Sequence, residues 1–342
     1  MAKQFLYVKT MAMKIRITMI FLCWIGLAQA QSPHFSQFYS SPLLINPAFT
    51  GYTEGAFRVA GNYRSQWGSG GSPYSTTSLS VEVSPLRDKL AAGNKLGFGI
   101  AALSDKTLEG AVQFNSISFS TAYNLSLDPD NVHTIGLGLQ GVYSERRINF
   151  NKLNFENQLT SGGFDISLPI GEELPGGNRN YFDMSTGAAY HASLPDKSFF
   201  AGVSVYNLLK KKDVYNDPQF QLPKRYTAVA GGNIDVGYSG IFYFSLNYQQ
   251  QGSTNETTLG SAYGIQLGDQ KKNIISLGAW YRVNDAVIPY IGYQLEGFQT
   301  GFSFDYTTSK LKTGGQTRNG FEISMVYTAP DNSEMKRLVP WY

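Results

Sequence analysis

From Ala56 to residue 328 the chain is built from segments of about ten residues that alternate apolar with small or polar side chains, each closed by turn residues. Phe242, Phe244, Leu246 and Tyr248 oppose Tyr243, Ser245, Asn247 and Gln249. Ile135, Leu137, Leu139 and Tyr143 oppose Gly136, Gly138, Gln140 and Ser144, and Phe302, Phe304 and Tyr306 oppose Gly301, Ser303 and Asp305. A period of two sends successive side chains to opposite faces of a sheet. A soluble sandwich shares that period, so segment length decides. About ten residues suits a tilted membrane strand, whereas soluble strands cluster near five or six. Charged residues are only 15% of the chain, where soluble proteins run at roughly a quarter. After residue 30 no apolar run approaches the roughly 18 residues of a membrane helix. The pattern predicts an all-β, transmembrane, antiparallel up-and-down β-barrel.

Strands are expected at 56–67, 74–83, 95–104, 111–125, 132–145, 181–191, 198–208, 224–236, 241–251, 256–268, 273–283, 286–295, 299–308 and 319–328. Fourteen is an even number, as a closed bacterial barrel requires. With both termini periplasmic, the long excursions 146–180 and 209–223 fall outside the cell. The turns 126–131, 192–197, 237–240, 269–272 and 296–298 fall inside with the longer 84–94. Long outer loops and short inner turns are the outer-membrane habit. Tyr63, Trp67, Tyr123, Tyr143, Tyr190, Tyr206, Tyr248, Trp280, Tyr281, Tyr290 and Tyr327 lie near strand ends and are expected to form the interfacial girdle. The barrel is assigned to 56–328, and 329–342 to a periplasmic tail.

Residues 1–30 read as a cleaved signal peptide. Lys3, Lys9, Lys14 and Arg16 precede an apolar stretch from Ile17 to Ala28, and Ala28-Gln29-Ala30 is a small-x-small cleavage site. The single cysteine, Cys23, lies within it, and Leu22 is too large for a lipoprotein signal. Removing the four basic residues of this segment from 28 leaves 24 against 25 acidic residues, a net charge of −1. Nothing in that balance suggests a nucleic-acid partner.

Gln31 to Gly55 breaks the pattern. Pro33, Pro42 and Pro47 forbid a continuous helix or central strand, while Phe35, Phe38, Tyr39, Leu43, Leu44, Ile45 and Phe49 are too apolar for a solvated tail. Asn46-Pro47 starts a turn. Of a disordered leader and a packed segment, the second is favoured, placing 31–55 in the lumen or at its periplasmic mouth. Arg64 and Trp67 sit near the outer end of the first strand. Arginine is costly on the lipid face, so Arg64 is expected to point inward and pair with an acid.

Three stretches carry a resemblance. Gln31-Ser32-Pro33-His34-Phe35-Ser36-Gln37-Phe38-Tyr39, then Asn46-Pro47-Ala48-Phe49-Thr50-Gly51, then Asn62-Tyr63-Arg64-Ser65-Gln66-Trp67 resemble the opening of the PorP/SprF family of Bacteroidota. Phe304-Asp305-Tyr306, Ser309-Lys310-Leu311 and Gly320-Phe321-Glu322-Ile323 resemble its C-terminal end. The resemblance implies an integral outer-membrane protein of the type IX secretion and gliding machinery. It also implies help in exporting or holding large surface adhesins, by binding cargo C-terminal signal domains or periplasmic machinery. Phe35, Phe38, Tyr39, Asn46, Pro47, Phe49, Arg64 and Trp67 are the candidate partner-binding residues. The alternative is a diffusion channel or small-solute transporter.

Catalytic patterns are missing. His34, His133 and His191 lack a second ligand at metal spacing, no Gly-x-Ser-x-Gly elbow occurs, and no Gly-rich stretch carries the Lys-Ser/Thr that cradles phosphate. No catalytic residue, cofactor or metal is expected, and a barrel hydrolase is the remote third reading. Gly97 and Gly99 read as small lumen-facing residues. Lys210-Lys211-Lys212 with Lys224-Arg225 make one outer loop basic, suited to lipid phosphates or to nothing in particular.

Overall fold

The computed structural model describes residues 32–53, 55–67, 74–86, 89–91, 93–171, 178–209, 222–268, 273–309 and 319–329. The signal peptide, the Lys210–Lys212 cluster and the tail beyond Ala329 lie outside the described residues. Sixteen strands form: β1 (Phe57–Gln66), β2 (Tyr74–Val83), β3 (Lys95–Thr107), β4 (Val112–Ser126), β5 (His133–Ile148), β6 (Leu159–Thr160), β7 (Gly163–Phe164), β8 (Asn178–Ser193), β9 (Lys197–Tyr206), β10 (Arg225–Val236), β11 (Gly240–Gln251), β12 (Thr254–Leu267), β13 (Asn273–Arg282), β14 (Ala286–Leu295), β15 (Phe298–Thr307) and β16 (Gly320–Thr328). Fourteen close one antiparallel barrel, each beside its neighbour in sequence, with β1 sealed against β16. Strands β6 and β7 form a separate hairpin inside the longest connection. Closure leaves no unpaired sheet edge, which is what lets strands cross hydrocarbon.

Strand β14 shows why this sequence makes a barrel. Ala286, Ile288, Tyr290, Gly292 and Gln294 turn inward while Val287, Pro289, Ile291, Tyr293 and Leu295 face out, in unbroken alternation. The outward set of the whole barrel is an apolar band, with Leu137 65% and Ile117 61% exposed, and the inward set is rich in Ser, Thr, Asn and Gln. Strands β5 and β8 are 16 residues long and pair to the register Arg147↔Asn178, so the excursion expected at 146–180 contracts to 149–177. Among the short turns, the β4–β5 connection is held by Asp128. Its carboxylate accepts from the Val132 and His133 amides at 2.9 and 2.6 Å, which keeps that carboxyl below the usual range.

Three aromatic residues depart from the expected girdle. Tyr206, Trp280 and Tyr290 point into the lumen and are nearly inaccessible. Pleating is the reason, because adjacent residues must take opposite faces. In the Trp280-Tyr281 pair it is Tyr281, 41% exposed, that faces lipid. The first and last described residues lie at opposite mouths of the barrel. Phe57 and Ala329 meet at the mouth of short turns, where the Ala329 amide donates to Phe57 O at 2.9 Å. The first described residue, Ser32, lies at the opposite mouth, its amide donating to Gln251 Oε1 at the end of β11. The segment before β1 therefore runs the length of the lumen.

Leu139, 54% exposed, lies on the lipid face of β5 between the levels of the girdle residues Tyr123 and Tyr143. Leu139→Arg should cost about 2–4 kcal/mol of barrel stability in urea unfolding from bilayers.

Candidate functional site

Residues 32–53 fill the barrel. A 3-10 turn (Phe38–Ser40), a one-turn helix (Pro42–Ile45) and a second 3-10 turn (Pro47–Phe49) fold the proline-rich sequence into a compact plug. Pro42 and Pro47 stand at the starts of their turns, where a missing N–H costs nothing. Phe38, Tyr39, Leu43, Asn46, Ala48, Phe49 and Thr50 are at most 3% exposed. The plug has a rear half, wedged among glycines and aromatics, and a front half held by charge.

Asn46 anchors the rear. Its side-chain oxygen accepts from the Ala48 amide at 2.9 Å, and its Nδ2 donates to Ala188 O at 3.0 Å and Val203 O at 3.2 Å on β8 and β9. Carrying both an acceptor and a two-hydrogen donor, an amide side chain makes all three contacts at once. Asn46 is extended, at φ −155°, as a residue before proline must be. The wall beneath is stripped of side chains. A Cβ on Gly138 would strike Pro47 and Ala48, and one on Gly187 would strike Asn46. Phe49 packs edge-on against Phe200, their centroids 6.0 Å apart, and meets His191, which stacks on Tyr52 at 3.6 Å. Thr50 Oγ1 lies 2.9 Å from Ser120 Oγ. Gly51, at φ +70°, passes so close to Gly97 that neither tolerates a side chain, and its amide donates to Glu82 Oε2 at 2.7 Å. Backbone carbonyls of the one-turn helix accept from the wall: Leu43 O from Gln140, Leu44 O from Arg225 and Ile45 O from Ser204. Buried backbone polar groups require such partners.

The front half meets β12, β13, β15 and β16. The Ser36 and Gln37 amides donate to the two oxygens of Glu322 at 2.7 and 3.0 Å, and the Ser36 hydroxyl donates to Asp305. Gln37 Nε2 donates to Ser303 Oγ and Glu322 O, while Ser324 Oγ donates to Gln37 Oε1. Arg64 donates to His34 O and to Asp305 Oδ2, both at 2.7 Å. Arg282 reaches the same Asp305 oxygen at 2.9 Å, and His34 Nε2 lies 2.9 Å from Glu256 Oε2. Behind this cluster Tyr39 sits between Trp280, with centroids 5.2 Å apart, and Tyr290 at 6.0 Å.

Of the eight candidate residues, Phe35, Phe38, Tyr39, Asn46, Pro47 and Phe49 belong to the plug, and Arg64 points inward to clasp it. Trp67 does not join them: it stands at the end of β1 at φ 62°, edge-on to Tyr74 at 4.5 Å. Sequence reading passed over Glu322 and Asp305 as members of the site, although both stand inside the C-terminal motifs. The signal was available, because a charged residue at an inward position of a membrane strand needs a partner. Among the described residues no group of His, Cys, Asp and Glu is arranged to hold a metal.

The fold and its apolar belt define an integral outer-membrane β-barrel. Among solved structures, the chain is similar to the toluene transporter TbuX of Ralstonia pickettii, at 12% identity and TM-score 0.50, covering 88% of this chain and 95% of that one. It is also similar to the toluene transporter TodX of Pseudomonas putida, at 9% identity and TM-score 0.49, covering 85% and 94%. At 12% identity the likeness to TbuX is one of fold. No curated protein matches the sequence. Residues 27–327 match the family of type IX secretion system membrane proteins PorP/SprF, and the chain belongs to that family. Within the matched range lie the whole plug and both motifs that clasp it.

Two substitutions separate the halves. Gly138→Val removes the bed of Pro47 and Ala48 without touching strand pairing. It should leave barrel yield unchanged and raise single-channel conductance in planar bilayers. Arg64→Ala strands Asp305 beside a single arginine and should cost about 3–5 kcal/mol in urea unfolding, with residues 32–41 becoming protease-sensitive. Arg64→Lys keeps charge but lacks the two-pronged geometry and should fall between.

Proposed function

We propose that the protein is a closed, non-enzymatic component of the type IX machinery that supports export or surface attachment of large adhesin-type cargo. It does so by docking cargo C-terminal signal domains or periplasmic machinery rather than by conducting solutes. One observation carries this reading: the lumen is occupied along its length by residues 32–53, which are held by buried hydrogen bonds at both ends. A diffusion channel needs an open lumen. His191, 2% exposed, is stacked on Tyr52 and meets Phe49 edge-on.

The long connections face outward in this reading, and the short turns, with both ends of the barrel, face the periplasm. Ser32 then lies at the outer mouth. A protease site inserted at Ser161-Gly162, in the exposed β6–β7 turn, should be cut on intact cells, and one following Ala329 only after the outer membrane is opened. The reverse pattern contradicts this orientation.

The function is tested by replacing Phe35, Phe38, Tyr39 and Phe49 together by Ser. Each aromatic contributes about 2 kcal/mol of burial to the plug but nothing to strand pairing. Barrel abundance should hold, surface adhesin should fall sharply, and purified protein should conduct where the unmodified protein conducts little. Unchanged adhesin display would show the plug to be a passive leader. Porin-like conductance from the unmodified protein would favour the channel reading.

A further inference from the structure

His34 stands at the start of the plug, at the long-connection mouth, with its ring between two acceptors. Nε2 lies 2.9 Å from Glu256 Oε2 on β12, and Nδ1 lies 3.4 Å from the Ser32 carbonyl oxygen. A neutral imidazole carries one N–H and one lone pair, so it would set a lone pair against one of these oxygens. Only the imidazolium donates to both. The residue is fixed in place by its backbone, because His34 O accepts from Arg64 at 2.7 Å. Its side chain keeps 21% of its surface exposed, which leaves water a path to the ring.

The charge around His34 points the same way. Among the described residues, Arg64 and Arg282 are the guanidiniums of the front cluster, and Asp305, Glu322 and Glu256 are its enclosed carboxylates. All three acids have donors on both oxygens, which leaves no oxygen to carry a proton. Glu322 takes the Ser36 and Gln37 amides, one on each oxygen. Asp305 takes both arginines on Oδ2, with the Ser36 hydroxyl 2.9 Å from Oδ1. Glu256 takes Gln249 Nε2 on Oε1 at 3.1 Å, and its Oε2 faces His34 and, at 3.7 Å, Arg282 Nε. The groups farther out do not restore the balance. Asp285, on the turn after β13, is one more acid on Arg282, and Asp105 of β3 is another, held by Thr76. Arg225 of β10 is engaged by the Tyr206 side chain and by Leu44 O. Two arginines against three enclosed carboxylates leave one negative charge over, and His34 is the group placed to meet it.

We infer that His34 is an imidazolium while the plug is seated, and that it makes the leading end of the plug a proton-operated latch. With the proton on, the ring bridges Ser32 O and Glu256 and neutralises the cluster. As pH rises and the proton leaves, a lone pair meets an oxygen and Glu256 is left with only the longer contact to Arg282. The leading end, from Ser32 to Phe35, then loosens. The rear half, anchored by the uncharged Asn46, does not share this latch. The inference stands apart from the proposed role in adhesin display, because it reads plug seating in the purified protein.

The test combines two readings of the purified full-length barrel in detergent, over the pH range in which imidazoles titrate. Histidine occurs only at 34, 133 and 191. Nitrogen NMR of histidine-labelled protein therefore reads the ring directly, with His34→Gln identifying its signals. Chymotrypsin cleavage at Phe35, Phe38 and Tyr39 reads seating, and comparing variants at each pH cancels the protease's own pH dependence. Both His34 ring nitrogens should carry protons wherever the segment is protected, and loss of one proton should coincide with faster cleavage. His34→Gln should be cut several-fold faster than the unmodified protein at the acid end and equally fast at the alkaline end. His34→Lys, which keeps its charge, should stay protected at the alkaline end. Heat-modifiable mobility should show a closed barrel in both variants; where a variant fails to close, the nitrogen spectrum of the unmodified protein decides. A His34 ring with a single N–H while the segment is protected overturns the inference. So does a cleavage profile in His34→Gln that matches the unmodified protein at every pH.

Discussion

Closing fourteen strands creates a lumen wider than the wall's own side chains can fill. The rest of the structure follows from how that space is occupied. Water would make a channel; here the chain's own leading segment occupies it. The requirement shapes both partners. The plug is folded into three short turns, two of them opened by proline, and the wall facing it is thinned to glycine at 97, 138 and 187. Strand glycines normally weaken a sheet, and these are placed where a backbone must approach a backbone.

Two kinds of adhesion hold the halves, and they differ in character. The rear relies on amide geometry and packing, centred on Asn46 and Phe49, which depend little on solvent ions. The front relies on charge: Asp305 shared by Arg64 and Arg282, and Glu322 receiving two backbone amides. Buried charges are costly to strand, so the front half is tightly specified while its partners are intact and vulnerable to the loss of any one of them. The N-terminal Ser36-Gln37 and the C-terminal Asp305 and Glu322, distant in sequence, form one clasp. Motifs at opposite ends of the chain are thereby parts of one contact.

The barrel was legible because period-two alternation over ten residues has one membrane solution, and the strand limits followed to within a few residues. What alternation did not reveal was which aromatic faced inward where two adjoined. Trp280 and Tyr281 look alike by composition, and only the register, fixed by neighbouring strands, sends Trp280 to the Tyr39 contact. The plug was legible as something packed, from its apolar content and prolines. Its path was not, because no periodicity links Ser32 to Gln251 or Gly51 to Gly97. Those pairings come from three-dimensional closure. Arg64 was readable from the cost of an arginine in lipid, and the same reasoning applied to Asp305 and Glu322 leads to the clasp.

The most direct measurement is a disulfide across the plug and wall. The segment predicted to remain after signal removal contains no cysteine, so Thr50→Cys with Ser120→Cys introduces the only pair, at positions whose side-chain oxygens lie 2.9 Å apart. Oxidation of native membranes should cross-link the double variant nearly completely, within one chain, and leave each single variant unlinked. A double variant that inserts normally and yet stays reduced, or links only between chains, would contradict a lumen filled by residues 32–53.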